Sequence, residues 1–476
     1  MKKPIVLSIT VAAILAAQAP QPQTSAGVVR YNRLPAATET LKVKLPRPVE
    51  QKLANGIKLL VVESHRVPTI SLQIQIPTGN VRDPEGLNGL ADATAALIRL
   101  GTKTRSSREI AEQLGELGAS IFFGAGLDTG TISASSLTEN FDATLAILAD
   151  ILLNPTFPQD ELDKWKTRQR AAIEQAKSSP GSLAQERLLK ILYPSDFRKL
   201  PQPSLESLEN ITREKIIEHY KAYYVPSAQW AGVAGDITPK EAVARIDKAL
   251  AAWKGGPVAQ PKIDFPAPIP QKKVYLISRP GSVQTLLVFA NLALDRLNPD
   301  YIDVQVMNRV LGSGSTSRLF RNIREEKGFT YGINSSFAAS RATNYFSTST
   351  SVRTEVTEPA VAEILKEFQT IRDTPVPAEE LSDAKNAMVA GFALGLESSP
   401  QVLSRWIEQR IFGLPEDYWD TYAARIEAVT AAGVQRVAKK YIPLDNVQII
   451  AVGDAAKITE SLKKFGPVEV LQLEQK

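Results

Sequence analysis

Apolar and polar positions along the chain alternate between two periods, and the switches between them mark out the elements. "ISLQIQI" sets Ile70, Leu72, Ile74 and Ile76 at a spacing of two, which predicts a strand with one buried face. "KLLVVES" just before it is equally β-rich. Leu87, Leu90, Ala91, Thr94, Leu97 and Ile98 then fall on one stripe at helical spacing, so a helix follows. "ASIFFGA" and "GTISASSL" return to strand. Strands joined by hairpin-length turns, with helices between them that need a face to cover, predict an α+β unit in which helices pack on a largely antiparallel sheet.

The pattern then repeats. "PTFPQDELDKWK" and "PVPAEELSDAK" match at Pro158/Pro377, Glu161/Glu380, Leu162/Leu381 and Lys166/Lys385, all at one offset. "YYVPSAQWAGVAGD" echoes "KYIPLDNVQIIAVGD", and "SREIAEQLGELGASI" echoes "SRLFRNIREEKGFTY", in the same order along the chain. Three ordered echoes with small changes of offset imply duplication. Between them "WKGGPVAQPKIDFPAPIPQKK" carries a Gly pair and repeated prolines that cannot continue a helix or a central strand. Two homologous domains are therefore expected, over residues 46–252 and 274–476, with a linker at 253–273.

Composition narrows the class. A chain of 476 residues, 43% hydrophobic and 22% charged, can fill two or three cores and is neither disordered nor a coiled coil. Its 56 basic and 51 acidic residues are interspersed, with no basic block to grip nucleic acid. Lys2 and Lys3, an apolar run from Ile5 to Ala17 and the triplet Ala17-Gln18-Ala19 have the layout of a secretory signal peptide. Residues 1–26 are expected to be that signal and a flexible lead-in, with the cut anywhere up to about Gly27 because Pro20 disfavours cleavage after Ala19. The run is too short to span a bilayer, so an exported, periplasmic protein without a membrane span is expected once the signal is removed. A retained N-terminal anchor or a buried helix is the alternative. The absence of cysteine leaves stability to core burial and excludes a lipid anchor on cysteine.

Four segments, "LNGLADATAALIRLGTKTRSSREIAEQLGELGAS", "LADILLNPTFPQDELDKWK", "YYVPSAQWAGVAGD" and "VLGSGSTSRLFRNIREEKGFTYGINSSF", together resemble the pitrilysin/insulinase-type zinc metallopeptidases, which include mitochondrial processing peptidase. The resemblance runs from about residue 46 to 460. It implies two alike domains facing each other as a clamshell. Active members carry His-x-x-Glu-His on the first-half helix, where two histidines at i and i+4 bind zinc and the glutamate at i+3 activates water. This chain places Asp92, Ala95 and Ala96 there. The family's downstream glutamate ligand aligns with Ala172; Glu174 is two residues on, about 200° around the helix. His65 and His219 are the only histidines. The first reads as a polar loop residue and the second as one face of the helix "REKIIEHYKAYY". With no cysteine either, a metal site would need several carboxylates.

The second half keeps its pattern. "YIDVQVMNRVL" is helical in period, Gly312 and Gly314 give a flexible turn, Thr316 or Ser317 is placed to cap the next helix, and Gly328 to end it. Arg324 falls in the last helical turn and Tyr331 in the following strand "FTYGINSSF". The resemblance aligns this pair with the arginine and tyrosine that reach the substrate backbone at the metal, and both side chains are donors suited to a carbonyl or an oxyanion. A plainer reading puts Tyr331 in the core beside Phe329 and Ile333, with Arg324 favoured by the helix dipole. Gly312-Ser313-Gly314 follows a helix and not a strand, which removes a dinucleotide fingerprint. No nucleophile elbow accompanies either histidine, and a Ser-Lys dyad stays open.

A site divided between two domains can be divided between two chains. The resemblance therefore implies a noncatalytic chain that binds no cofactor itself. It would lend Arg324 and Tyr331 to a homologous His-x-x-Glu-His partner that holds the zinc, with peptides as substrates. Two alternatives stand beside it: a purely structural or peptide-binding protein, and a degenerate enzyme with carboxylate-only metal binding.

Overall fold

In the first half, β1 (Val49–Lys52), β2 (Lys58–Glu63) and β3 (Thr69–Ile76) lead to α1 (Leu90–Leu97) and α2 (Ser107–Glu116). The hairpin β4 (Ser120–Ala125) and β5 (Gly130–Leu137) is followed by α3 (Phe141–Leu153), α4 (Gln159–Ser178), α5 (Pro180–Leu192), α6 (Leu205–Asn210) and α7 (Arg213–Tyr223), then β6 (Trp230–Gly235) and α8 (Pro239–Leu250). The second half runs β7 (Lys273–Ser278), β8 (Gln284–Leu292), α9 (Tyr301–Leu311), a π-helical segment Phe320–Glu326, β9 (Ile333–Ala339) and β10 (Asn344–Arg353). It closes with α10 (Thr357–Asp373), α11 (Ala378–Leu394), α12 (Ser399–Phe412), α13 (Tyr422–Glu427), α14 (Ala431–Tyr441), β11 (Gln448–Gly453), α15 (Ala455–Leu462) and β12 (Val468–Gln472). This computed structural model describes residues 44–196, 198, 202–226 and 230–472, so the signal segment expected over 1–26 lies outside the described residues.

Each half forms a six-stranded mixed sheet, in the orders β1-β2-β6-β3-β5-β4 and β12-β7-β11-β8-β10-β9. Five strands correspond one to one, β2-β6-β3-β5-β4 against β7-β11-β8-β10-β9. In both halves the first pair is parallel and the other three are antiparallel. The sixth strand breaks the copy. In the first sheet the edge beside β2 is taken by β1, the arm of a hairpin that precedes it. In the second, the same edge is taken by the C-terminal β12, in parallel.

The two halves are interlocked by one helix each. α5 lays Ala184, Leu188, Leu189 and Leu192 on the second sheet, against Tyr275, Ile277, Val288 and Ile450. α12 returns the exchange with Val402, Leu403, Trp406 and Ile407 on Leu60, Val62 and Ala234 of the first sheet. The other faces of the same strands, Leu59 and Val61 in β2, belong to the core under the first half's own helices. Burial on both faces is why "KLLVVE" reads as an unbroken apolar run instead of alternating. Gly232 of β6 admits the crossing helix closely: a methyl there would lie well inside contact distance of Leu403 Cδ1. Trp406 donates to the Pro46 carbonyl at 2.8 Å, and Arg410 pairs with Glu50, tying α12 to the start of the first half.

The segment between β6-α8 and β7 carries no helix or strand from 254 to 270, yet it is tethered. Arg82 donates to the Ala259 carbonyl at 2.6 Å, Arg198 to the Asp264 carbonyl at 2.6 Å, and Ile269 exchanges hydrogen bonds with the Asn291 side chain at 2.9 and 3.0 Å.

Candidate active site

Helix α1 begins at Gly89, which sits at φ 92° and offers no side-chain cap. The cap comes from the preceding loop. Asp83 accepts from the Gly89 and Ala91 backbone N–H groups at 2.8 Å each, so a carboxylate stands at the positive end of the helix. Burial nevertheless pushes its carboxyl up to about 6. Asn80 Nδ2 donates to Asp83 at 3.4 Å and to Asp92 Oδ2 at 3.0 Å, so one amide bridges both acids. Burial raises the Asp92 carboxyl as well, against the Asn80 hydrogen bond.

Asp92, Ala95 and Ala96 thus sit on one short helix, and α4, which carries Ala172, packs beside it. Ala95 is buried in the first-half core, Ala96 lies half-buried against that core, and Ala172 is exposed. Glu174 holds Lys177 at 2.7 Å. A zinc ion does not fit these residues. Three of the four positions are methyl groups, the fourth is bound to Asn80, and among the described residues no group of three His, Cys, Asp or Glu could hold a metal.

A buried polar layer lies beside α1 on the helix α7, which packs against it. His219 is only 4% exposed, with Nε2 3.2 Å from Thr78 Oγ1 and Nδ1 without a partner. Burial, with the nearby Arg82 charge, holds its imidazole down at about 4. Arg82 lies over the Tyr223 ring at 5.2 Å, and the fully buried Tyr224 hydroxyl has no hydrogen-bond partner. Burial, and then the Asp92 charge, pushes the Tyr224 phenol upward. His219 is thus a core residue as much as a helix-face one. Sequence reasoning passed over Asp83 and Asn80 altogether; the one available signal was an acid shortly before an uncapped Gly-Leu helix start. His65 is, by contrast, an exposed loop residue between Asp236 at 2.5 Å and Glu63 at 2.8 Å, which raise its imidazole.

In the second half Arg324 falls in the last helical turn, as expected, while Tyr331 is placed differently from the sequence reading. Tyr331 is not in a strand, since β9 starts at Ile333, and it is 95% exposed. A core role for its ring is therefore wrong. The cause is local: Gly328 takes φ 62°, and the Thr330 hydroxyl binds both the Gly332 N–H at 3.1 Å and, from β10, Thr350 at 2.9 Å. That knot turns the chain and throws Tyr331 outward. Arg324 lies in the π-helical segment, its guanidinium over Phe320 at 5.0 Å and its Nε donating to the Tyr331 carbonyl at 3.1 Å. The structure joins Arg324 and Tyr331 to one another, while the α1/α4 group belongs to the other half.

Gly312 and Gly314 form the turn between α9 and that segment. A methyl at Gly312 would press on Ser335 Oγ and Leu319, and Gly314 sits at φ 106° against the Arg309 guanidinium. Ser335 N–H bonds the Gly312 carbonyl at 3.0 Å and Asn308 Nδ2 the Ser335 carbonyl at 3.1 Å, so the turn is seated on β9. Ser317 stands at the start of the next helix, its carbonyl accepting the Arg321 N–H at 3.0 Å, while its hydroxyl donates back to the Gly314 carbonyl at 2.7 Å.

"Insulinase (Peptidase family M16)" matches residues 58–201, and "Peptidase M16 inactive domain" matches residues 210–388. The chain belongs to the insulinase-type M16 peptidase family. It is a member without the His-x-x-Glu-His motif. It is 26% identical to an uncharacterized zinc protease, YmxG, of Bacillus subtilis over 74% of this chain and 85% of that one. It is 23% identical to a protein named non-peptidase homolog YmxG in Helicobacter pylori, over 84% of this chain and 93% of that one. A solved M16 inactive domain from Pseudomonas fluorescens superposes with a TM-score of 0.78 at 28% identity, covering 86% of this chain and 98% of that one. The fold class is thus that of M16 peptidases, two α+β domains arranged as a clamshell. Among the described residues no helix is long and apolar enough to cross a membrane.

Proposed function

We propose that this pseudo-peptidase is the noncatalytic partner in an exported, periplasmic two-chain peptidase. In this reading it lends Arg324 and Tyr331 to a site whose metal and base belong to a homologous His-x-x-Glu-His subunit. The observation that carries it is the state of the pair. Tyr331 is 95% exposed, and Arg324 is steered by one Nε bond and one aromatic face, which leaves its terminal N–H groups directed elsewhere. An exposed phenol beside a braced guanidinium is poor core material and a good pair of donors for a peptide carbonyl. The names of similar proteins, an inactive M16 domain and a non-peptidase homolog, support the pseudo-peptidase part of the reading. Export rests on the basic-then-apolar start of the sequence.

The test is coexpression with a His-x-x-Glu-His family member from the same genome, assayed for peptide cleavage. Tyr331→Phe should lower turnover by about 10²-fold, the usual effect of losing one transition-state donor, with an unchanged melting temperature. Arg324→Ala should also raise KM. Full activity in both variants would remove the shared site and leave a scaffolding or peptide-holding role. Zinc analysis of the isolated chain after dialysis should find no retained metal, and one tightly held ion per chain would revive a carboxylate site.

A further inference from the structure

A cavity of 240 Å³ lies away from both sites, between the loop 296–299 that leads into α9 and the turn 413–415 that follows α12, with α13 adding Arg425. Its polar wall includes two arginines, Arg296 and Arg425. Arg296 is 5% exposed, packed over the rings of Tyr301 at 4.1 Å and Tyr418 at 5.1 Å, and its charge is met by Glu408 Oε1 at 3.1 and 3.3 Å. Arg425 also lies over the Tyr418 ring, at 4.7 Å, but no carboxylate pairs with it among the described residues. Tyr418 is 3% exposed, and its hydroxyl proton finds no acceptor. Asp300, at the start of α9, is already engaged: it binds Arg436 at 2.6 Å, Lys440 at 2.9 Å and Tyr441 at 2.7 Å. The remaining wall is apolar, with Leu414 and with Leu297, which is 62% exposed.

One uncompensated guanidinium and an apolar wall share a pocket too small for a drug-sized molecule. We propose that this cavity binds a carboxylate carried on a small apolar group, as in the free C-terminal residue of a peptide or a short hydrophobic acid. Arg425 takes the carboxylate through its forked donors, and Leu297 and Leu414 cover the apolar part. The inference goes beyond the shared-site reading and stands whether or not the chain serves a peptidase.

The experiment uses the full chain and three probes: a tetrapeptide ending in leucine with a free carboxylate, the same peptide as its C-terminal amide, and hydrocinnamate. Binding is followed by calorimetry and by tryptophan fluorescence, since Trp419 lies 4.9 Å from the Tyr418 ring. At least one of the two acids should saturate the protein below about 10 mM, the range open to a ligand of so few atoms. The amide should bind at least about 10-fold more weakly than the free peptide, and Arg425→Gln should weaken the acids by a similar factor. Arg425→Lys should recover only part of the loss. Peptide binding without hydrocinnamate binding would assign the site to chain termini. Equal binding of both would assign it to hydrophobic acids in general. If acid and amide bind alike, if neither acid saturates, or if a folded Arg425→Gln protein binds as the wild type does, the proposal falls. Should Arg425→Gln lower the melting temperature enough to obscure binding, the acid/amide comparison on the wild-type protein decides alone.

Discussion

Replacing His219 by glutamine tests the electrostatics beside α1. The folded protein holds this imidazole at about 4, against about 6.5 in an unfolded chain. A group depressed on folding contributes stability that is whole above its unfolded value and is lost as pH falls through its folded one. At about 1.4 kcal/mol per pH unit, the gap between about 6.5 and about 4 is worth about 3 kcal/mol, of which about 2 kcal/mol has gone by pH 5. Asp83 works in the opposite sense: raised to about 6 by burial, it adds stability in acid that disappears as pH rises through about 6. The wild-type protein should therefore show little net response from this cluster between pH 6.5 and 4. Glutamine can keep a polar atom near Thr78, now 3.2 Å from His219 Nε2, and does not titrate. Urea unfolding of both proteins at a series of pH values from 7.5 to 5 isolates the histidine, because Asp83, Asp92 and Arg82 are common to both. The variant should gain about 2 kcal/mol relative to wild type over that range, whatever its offset at neutral pH. A difference that stays constant with pH would show that His219 titrates normally and that its burial carries no such penalty.

The crossing of α12 onto the first sheet can be measured by a cycle. Leu403→Ala should cost about 2–5 kcal/mol and Gly232→Ala about 1–3 kcal/mol, while the double variant should cost less than their sum by at least about 1 kcal/mol, since the added methyl then meets a gap; strict additivity in urea melts would mean the two do not touch. Gly314→Ala should cost about 1–3 kcal/mol from its φ of 106° alone, and a neutral result in the same assay would show that the turn relaxes freely.

Much of this architecture was legible because it is periodic. The stripe Leu90, Ala91, Thr94, Leu97 is buried as its spacing requires, and the "YIDVQVMNRVL" helix spans the residues its pattern covers. The duplication was legible too, and five strands of each sheet repeat in order and sense. What escaped depends on contacts between segments far apart in the chain. His219 is buried because Thr78, 141 residues away, meets it. Tyr331 shares the alternation of Phe329 and Ile333, but the Thr330 hydroxyl is held by Thr350 on a neighbouring strand, and the side chain leaves the pleat. No sequence reading reached α5 and α12, each of which covers the other half's sheet. Composition alone also gave no reason for the edge beside β2 and the edge beside β7 to be filled from opposite ends of the halves.

Packing on the sheet and holding a metal make separate demands on a helix such as α1. Leu90, Ala91, Ala93, Thr94, Ala95 and Leu97 of α1 are buried, and alanine is the best helix former, so the ligand-free sequence satisfies what the sheet needs from this helix. Ligands without a metal would be a liability there. Buried imidazoles and carboxylates lacking a counter-charge are costly, and the one acid that remains, Asp92, is accommodated through the Asn80 amide and a raised carboxyl. Ala95 belongs to the hydrophobic core, with Ala96 packed at its margin, so a longer polar side chain at 95 would have to displace apolar contacts. In the other half no such closure has occurred: the knot at Thr330 still presents Tyr331 to its surroundings, and Arg324 is still braced beside it. Ala95 is closed into the core while Tyr331 stands exposed, which is the asymmetry that the proposed shared site asks of this chain.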